Sequence, residues 1–206
     1  MNLANKLTLS RIILAPVFFV IYLMPRFFPA FFNDNTVWTI PVLWVIFIVS
    51  EITDYFDGLA ARKLNIASDV GKLFDPFADT LMQITCFLCF IIDGIYPVNG
   101  IIPAILFLFV IYREFSILFL RNLMLKNGVT LGARMGGKIK TVAYIIAVGA
   151  ALAAASLERL SVFEFLLPYF KAGALVIFII SVIIAGVSFL DYFLIYHKTI
   201  KQKTNI

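Results

Sequence analysis

Six long apolar stretches decide what this chain can become. They fall at Leu7–Met24, Val37–Ile52 (running on to Arg62), Leu73–Ile92, Ile101–Leu120, Ile139–Ser156 and Leu175–Ile195. A helix that crosses a bilayer needs roughly 20 mainly apolar residues. In hydrocarbon each backbone N–H and C=O must be satisfied within the protein, and a run of this length does so by coiling into a helix. The chain is 62% hydrophobic and 14% charged, with a mean hydropathy of +1.00. A water-soluble core of 206 residues cannot hide that much apolar surface. The expected fold is all-α: a polytopic membrane protein with six transmembrane helices. These spans and short loops use residues 1–206 as a single domain, with no separate soluble domain.

The basic residues orient the bundle. Most of the 17 lysines and arginines lie before the first span, in the second-to-third and fourth-to-fifth connections, and in the tail after the sixth. The positive-inside bias puts both termini and those two connections in the cytoplasm. The net charge of +5 is then an attraction to anionic lipid. It is divided among several loops, so it is no nucleic-acid footprint. Asn5–Arg11 mixes polar and apolar residues, as a short interfacial helix at the N-terminus would. The first span carries no small-residue cleavage site after it, so it reads as a span and not a secretory leader. Pro29, Asn33, Asp34 and Asn35 mark the first outer turn, and Asp93–Gly100 the second. Ala147–Ser156 is a run of small residues suited to close helix packing. Cys86 and Cys89 lie mid-span and read as small apolar residues.

Half of the 12 acidic residues fall between Glu51 and Asp79. Ionisable groups in a membrane span are costly and point to a site. On a helix, Asp54, Asp57, Gly58 and Ala61 lie within about 100° of one another. Gly71, Asp75 and Asp79 step by four, a narrow stripe on the next helix. A short basic connection would make the two helices antiparallel neighbours, and four carboxylates would converge near the cytoplasmic surface. They cannot all stay ionised without a counter-charge. Hard divalent cations with all-oxygen ligands supply it, and paired cations held by carboxylates serve phosphoryl chemistry. Gly58, Gly71 and Ala61 leave open backbone for a nucleotide, and Arg62 can face a phosphate. Asp69 sits outside the stripe and reads as an ordinary interfacial charge.

These residues spell D-x-x-D-G-x-x-A-R-x8-G-x-x-x-D-x-x-x-D, with every fixed position present from Asp54 to Asp79. The stretch resembles the signature of the CDP-alcohol phosphotransferases. The family's six-span layout makes the likeness extend over essentially the whole chain, as one transmembrane domain. Within the family, Asn5–Pro16, Tyr112–Phe115 and Gly137–Thr141 are most similar to bacterial members that make phosphatidylglycerophosphate. The resemblance implies a reaction: the phosphatidyl group of CDP-diacylglycerol passes to sn-glycerol 3-phosphate, and CMP is released. It implies that Asp54, Asp57, Asp75 and Asp79 hold two Mg²⁺ or Mn²⁺ ions, and that Asp79 is also the general base. It implies that Gly58, Ala61, Arg62 and Gly71, with Asn5 and Thr8, line the CDP pocket. It further implies a homodimer in the bacterial cytoplasmic (inner) membrane among membrane lipids, with its active site facing the cytoplasm.

The acceptor has to be argued separately. Glycerol 3-phosphate is an anion and needs cationic ligands away from the carboxylates. Arg113 lies in an otherwise apolar span and must face a partner or a cavity. Glu114 is beside it, about 100° round the helix, and the plainer role for Arg113 is a structural ion pair with some other group. Arg121, eight residues on, returns near the same face. Lys138 and Lys140 begin the fifth span, where topogenic charge is the plainer reading. Together these four are the candidate acceptor-phosphate ligands. Inositol phosphate would use the same cluster, whereas an acceptor without a phosphate, such as serine or choline, would not require it. A cation transporter or channel would spread its acidic residues through the membrane depth, and here they gather on one side. Asp191 either pairs with a tail lysine or serves the site. His197 reads as solvated.

Overall fold

The computed structural model describes the backbone of residues 3–32, 36–64, 69–126 and 135–204, and the side chains of 9–29, 32, 36–53, 77–78, 80–124 and 135–197. Each apolar stretch is a helix: α1 (Leu3–Phe27), α3 (Thr39–Leu64), α4 (Asp69–Asp93), α5 (Ile101–Lys126), α6 (Met135–Leu160) and α7 (Leu167–Thr204). A one-turn helix, α2 (Pro29–Phe32), follows α1. Among the described residues there is no strand. Four helical segments are long and apolar enough to cross a membrane: Leu9–Phe27, Ile101–Met124, Met135–Leu160 and Leu167–His197. Thr39–Thr53 and Thr80–Asp93 are apolar but shorter over the described residues. Asn33, Asp34 and Asn35, expected in the first turn, lie outside them.

Local chemistry sets the helix ends. Pro41, Pro103 and Pro168 stand in the first turns of α3, α5 and α7, where a missing N–H costs nothing and a fixed φ favours the start. α4 stops at Gly94, whose φ of 72° is open to a residue without Cβ. There Gly94 N–H donates to the Ile91 carbonyl and Ile95 N–H to that of Phe90, a Schellman ending. Two boundaries differ from the sequence reading. α1 runs unbroken from Leu3, so Asn5–Arg11 is the start of the first long helix and no separate interfacial one; nothing before Pro16 breaks it. α7 starts at Leu167, not Leu175, and continues through the basic tail, which holds no Gly or Pro to stop it.

Packing follows side-chain size. α6 lies along α7, and its small residues Ala147, Ala151, Ala154 and Ala155 are buried, as close approach of helices in lipid requires. Among the described residues α1 is the main partner of α4 and also packs on α3. Phe18 stacks on Tyr22 at 5.9 Å, and Tyr22 meets the edge of Phe90 at 5.5 Å. Deeper in, Phe87 touches both Phe178 (4.7 Å) and Tyr144 (5.5 Å). Cys86 and Cys89 are fully buried in the same core. Outward, Ile105, Tyr112 and Phe119 of α5 and Val187 and Leu190 of α7 are exposed. So continuous an apolar exterior suits lipid, not water.

One end of the bundle is tied by polar side chains. Tyr22 donates to Asp93 Oδ2 at 2.9 Å. Arg159 donates to Thr39 Oγ1 at 2.8 Å and to the Tyr22 carbonyl at 2.9 Å, and its guanidinium lies over the Tyr22 ring. Arg26 donates to the Ile92 carbonyl at 2.5 Å. These contacts join α1, α3, α4 and α6 at the ends where α1 and α4 finish and α3 begins.

Candidate active site

The aspartate motif belongs to the opposite end. Asp54, Asp57, Gly58, Ala61 and Arg62 fall on the final turns of α3, and Gly71, Asp75 and Asp79 on the first turns of α4. The side chains of these eight residues, and those of Asn5 and Thr8 on α1, lie outside the described residues. What the backbone fixes is that both halves of the motif are helical.

The described side chains beside that turn of α4 form a buried ion cluster. Arg113 and Glu114 of α5 are each 5% exposed, and Lys140 of α6 is 7% exposed. Arg113 Nη1 donates to Glu114 Oε1 at 2.7 Å, and Lys140 Nζ reaches the same oxygen at 3.0 Å. α7 completes the shell of Arg113: Nε donates to the Ala185 carbonyl and Nη2 to Ser188 Oγ, both at 3.1 Å. Thr80, the residue after Asp79, donates to Glu114 Oε2 at 3.5 Å, the long limit of a hydrogen bond. The Lys140 ammonium also lies 4.6 Å from the centre of the Tyr144 ring. Among the described residues two cations share this one carboxylate, so these three side chains carry a net positive charge away from water. Burying charge is expensive unless every partner is in place, and here α4, α5, α6 and α7 each supply one.

Arg121 extends the same wall. Its Nη2 donates to the Tyr192 hydroxyl at 3.1 Å, and its guanidinium lies 5.5 Å from that ring. Its Nε is buried and has no hydrogen-bond partner among the described residues. Ser188 and Tyr192 are four apart on α7, so the two arginines anchor about one turn from each other. Gly136 and Gly137 let α6 start against this wall: a Cβ at Gly136 would stand 3.3 Å from Ser188 Oγ, and one at Gly137 would stand 3.4 Å from the Tyr192 hydroxyl. Beside Glu114, between α4 and α5, lies a cavity of 130 Å³ edged by Thr80 and Glu114 and walled by Phe77, Leu81, Phe115 and Leu118.

The four basic residues expected to bind the acceptor are therefore not equivalent. Arg113, Lys140 and Arg121 line one wall, and Lys138 is exposed. Two residues apart on a helix means about 200° of rotation, so packing α6 through Lys140 turns Lys138 outward. Sequence reasoning did not name Ser188 or Tyr192. Their four-residue spacing, two hydroxyls on one stripe of an apolar helix, was the available signal. Arg11, one of the basic residues at the N-terminal end, is 1% exposed inside the bundle. Asp191 is partly buried and engaged, and His197 is exposed.

Comparison with known proteins agrees with the motif. A family model described as CDP-alcohol phosphatidyltransferase matches residues 1–187. A protein of Treponema pallidum named CDP-diacylglycerol–glycerol-3-phosphate 3-phosphatidyltransferase is 35% identical over 210 residues, covering 98% of this chain and 92% of the relative. One of the same name from Bacillus subtilis is 38% identical over 155 residues, covering 73% and 76%. Another, from Wigglesworthia glossinidia brevipalpis, is 30% identical over 203 residues, covering 95% and 94%. With the family's aspartate signature complete from Asp54 to Asp79 and the match reaching nearly from end to end, this chain belongs to the CDP-alcohol phosphatidyltransferase family.

Proposed function

We propose that this protein transfers the phosphatidyl group of CDP-diacylglycerol to sn-glycerol 3-phosphate, giving phosphatidylglycerophosphate and CMP. The observation that carries the choice of acceptor is the wall of buried Arg113 and Lys140 and part-buried Arg121, which among the described residues holds more positive charge than Glu114 neutralises. A phosphate-bearing acceptor balances it; an acceptor without a phosphate, such as serine, with no net charge, does not. The relatives' names point to the same acceptor.

In this reading Asp54, Asp57, Asp75 and Asp79 hold two Mg²⁺ or Mn²⁺ ions, a donor set of carboxylates that suits hard cations. The ions, when bound, neutralise phosphate oxygens and stabilise the leaving group. Gly58, Ala61, Arg62 and Gly71, with Asn5 and Thr8, line the CDP pocket. Arg113, Arg121 and Lys140 seat the acceptor's phosphate, and exposed Lys138 draws the anion in. Asp79 takes the proton from the acceptor hydroxyl. That oxygen attacks the phosphorus nearer the lipid, the bond to the bridging oxygen breaks, and CMP leaves. Thr80, the residue after Asp79, donates to Glu114 Oε2, which supports a proton acceptor close to the phosphate seat. The wider reading is one domain of six spans, with both termini and the site on the cytoplasmic face of a bacterial inner membrane, working as a homodimer. The basic connections support that orientation.

The test uses purified protein in nanodiscs with CDP-diacylglycerol and Mg²⁺ or Mn²⁺, offering glycerol 3-phosphate, inositol phosphate or serine separately. CMP release only with glycerol 3-phosphate is the expected result. Release with none sinks the transferase reading, and release with serine alone sinks the acceptor.

A further inference from the structure

An anion seat needs cations, yet this one has a carboxylate at its centre. We propose that Glu114 is a positioning residue that stands in for the acceptor's phosphate. It holds Arg113 and Lys140 together in the resting protein, then gives up its place to the arriving dianion. The inference rests on reading this wall as the acceptor seat.

Three observations carry it. The first is that both cations converge on one oxygen, Oε1, at 2.7 and 3.0 Å. Without that oxygen, two like charges this close in a medium of low dielectric would drive each other apart. Glu114 therefore keeps preformed a pair that a phosphate can bridge. The second is that the carboxylate is not locked. Among the described residues its other oxygen meets Thr80, at the long distance of 3.5 Å, and its side chain edges the 130 Å³ cavity between α4 and α5. The carboxylate is buried, and on its far side lie this cavity and the Thr80 hydroxyl. The third is the charge. Among the described residues Arg113, Lys140 and Glu114 leave one positive charge, and Arg121, whose Nε has no hydrogen-bond partner there, adds a second. That matches a phosphate monoester, which carries about −1.5 to −2 at neutral pH. A monoanion gains less and has to displace the same carboxylate. Glu114 thus raises the KM for acceptor and confines the seat to dianions.

Thermal unfolding of full-length protein in nanodiscs, without donor lipid, is followed while inorganic phosphate is titrated. For Glu114→Gln the phosphate concentration giving half-maximal protection should fall at least about tenfold, since one competing charge is removed from a buried pair. In the transfer assay KM for glycerol 3-phosphate and kcat should fall together, because the product keeps the phosphate and leaves slowly. An unchanged or higher half-maximal concentration in folded Glu114→Gln overturns the proposal. If that variant does not fold, Glu114→Asp keeps the charge but draws it back by one methylene. A smaller drop is then expected, and no drop overturns the idea. Phosphate protection that tightens in the variant without any transfer to glycerol 3-phosphate sinks the function and leaves the seat. Normal transfer with unchanged phosphate affinity does the reverse.

Discussion

Two clusters in this bundle set a single carboxylate between two cations, and they differ in depth and tightness. Around Asp93 the ion pairs are long, 3.9 Å to Arg26 and 3.8 Å to Arg159, and the Arg26 side chain is 57% exposed. Those arginines spend their hydrogen bonds on the Ile92 and Tyr22 carbonyls and on Thr39. The result is a clasp across four helices, with Arg26 screened by water and Arg159 and Asp93 more sheltered but held at long range. Around Glu114 the pairs are 2.7 and 3.0 Å and the groups are nearly sealed. Low dielectric makes each charge there count for more, so an incoming anion is felt strongly. The same three charges make a fastener at the rim and, in the proposed reading, an anion seat in the interior.

The sharpest way to break this contrast uses two aspartates at opposite ends of α4. Asp79→Asn should lower turnover about a thousandfold, the scale of a lost general base. Asp93→Asn should keep turnover per folded protein within about twofold, because a rim ion pair contributes little. Equal losses in a CMP-release assay would erase the distinction. Next comes a pair of arginines. Arg113→Ala should raise the KM for glycerol 3-phosphate about a hundredfold, as loss of a buried charge-assisted contact does. Arg159→Ala should leave KM alone and cost about 1–3 kcal/mol of stability by stranding its acceptors, read from thermal unfolding in detergent. The lysines divide less widely. Lys140→Met should raise KM about tenfold, whereas exposed Lys138→Met should change it less than about twofold, and only at low salt. Similar effects at both would mean that α6 presents both faces to the substrate. Arg26→Ala should be the mildest, below about 0.5 kcal/mol; a larger shift in unfolding temperature would promote the rim from fastener to keystone.

The helices were legible because apolar length is written directly into the chain. Their ends were less so: nothing between Asn5 and Arg11 tells a polar first turn of a long helix from a separate interfacial one. The motif was legible because fixed spacing of acidic residues in an apolar chain is rare, although its side chains lie outside the described residues. The acceptor wall was half legible. Arg113 announced itself as a charge in oil. Separating Lys140 from Lys138 required knowing which side of α6 meets α7, and sequence alone leaves that rotation free. Ser188 and Tyr192 carry no charge and vanish in an apolar run. Neighbours in a helix do not ordinarily face each other, so the Arg113–Glu114 contact was visible only once the long arginine was seen folded against its neighbour.

That contact has a meaning for biogenesis. α5 is made before α6 and α7, so when Arg113 first meets the lipid neither Lys140, Ser188 nor the Ala185 carbonyl yet exists. Its adjacent residue, however, does. A nascent helix with a lone arginine at its centre meets an insertion penalty of roughly 2.5–3.5 kcal/mol. An arginine already clasped by Glu114 enters as a neutral pair. The newborn segment thus brings its own escort into the bilayer, and keeps it while each later helix adds further company.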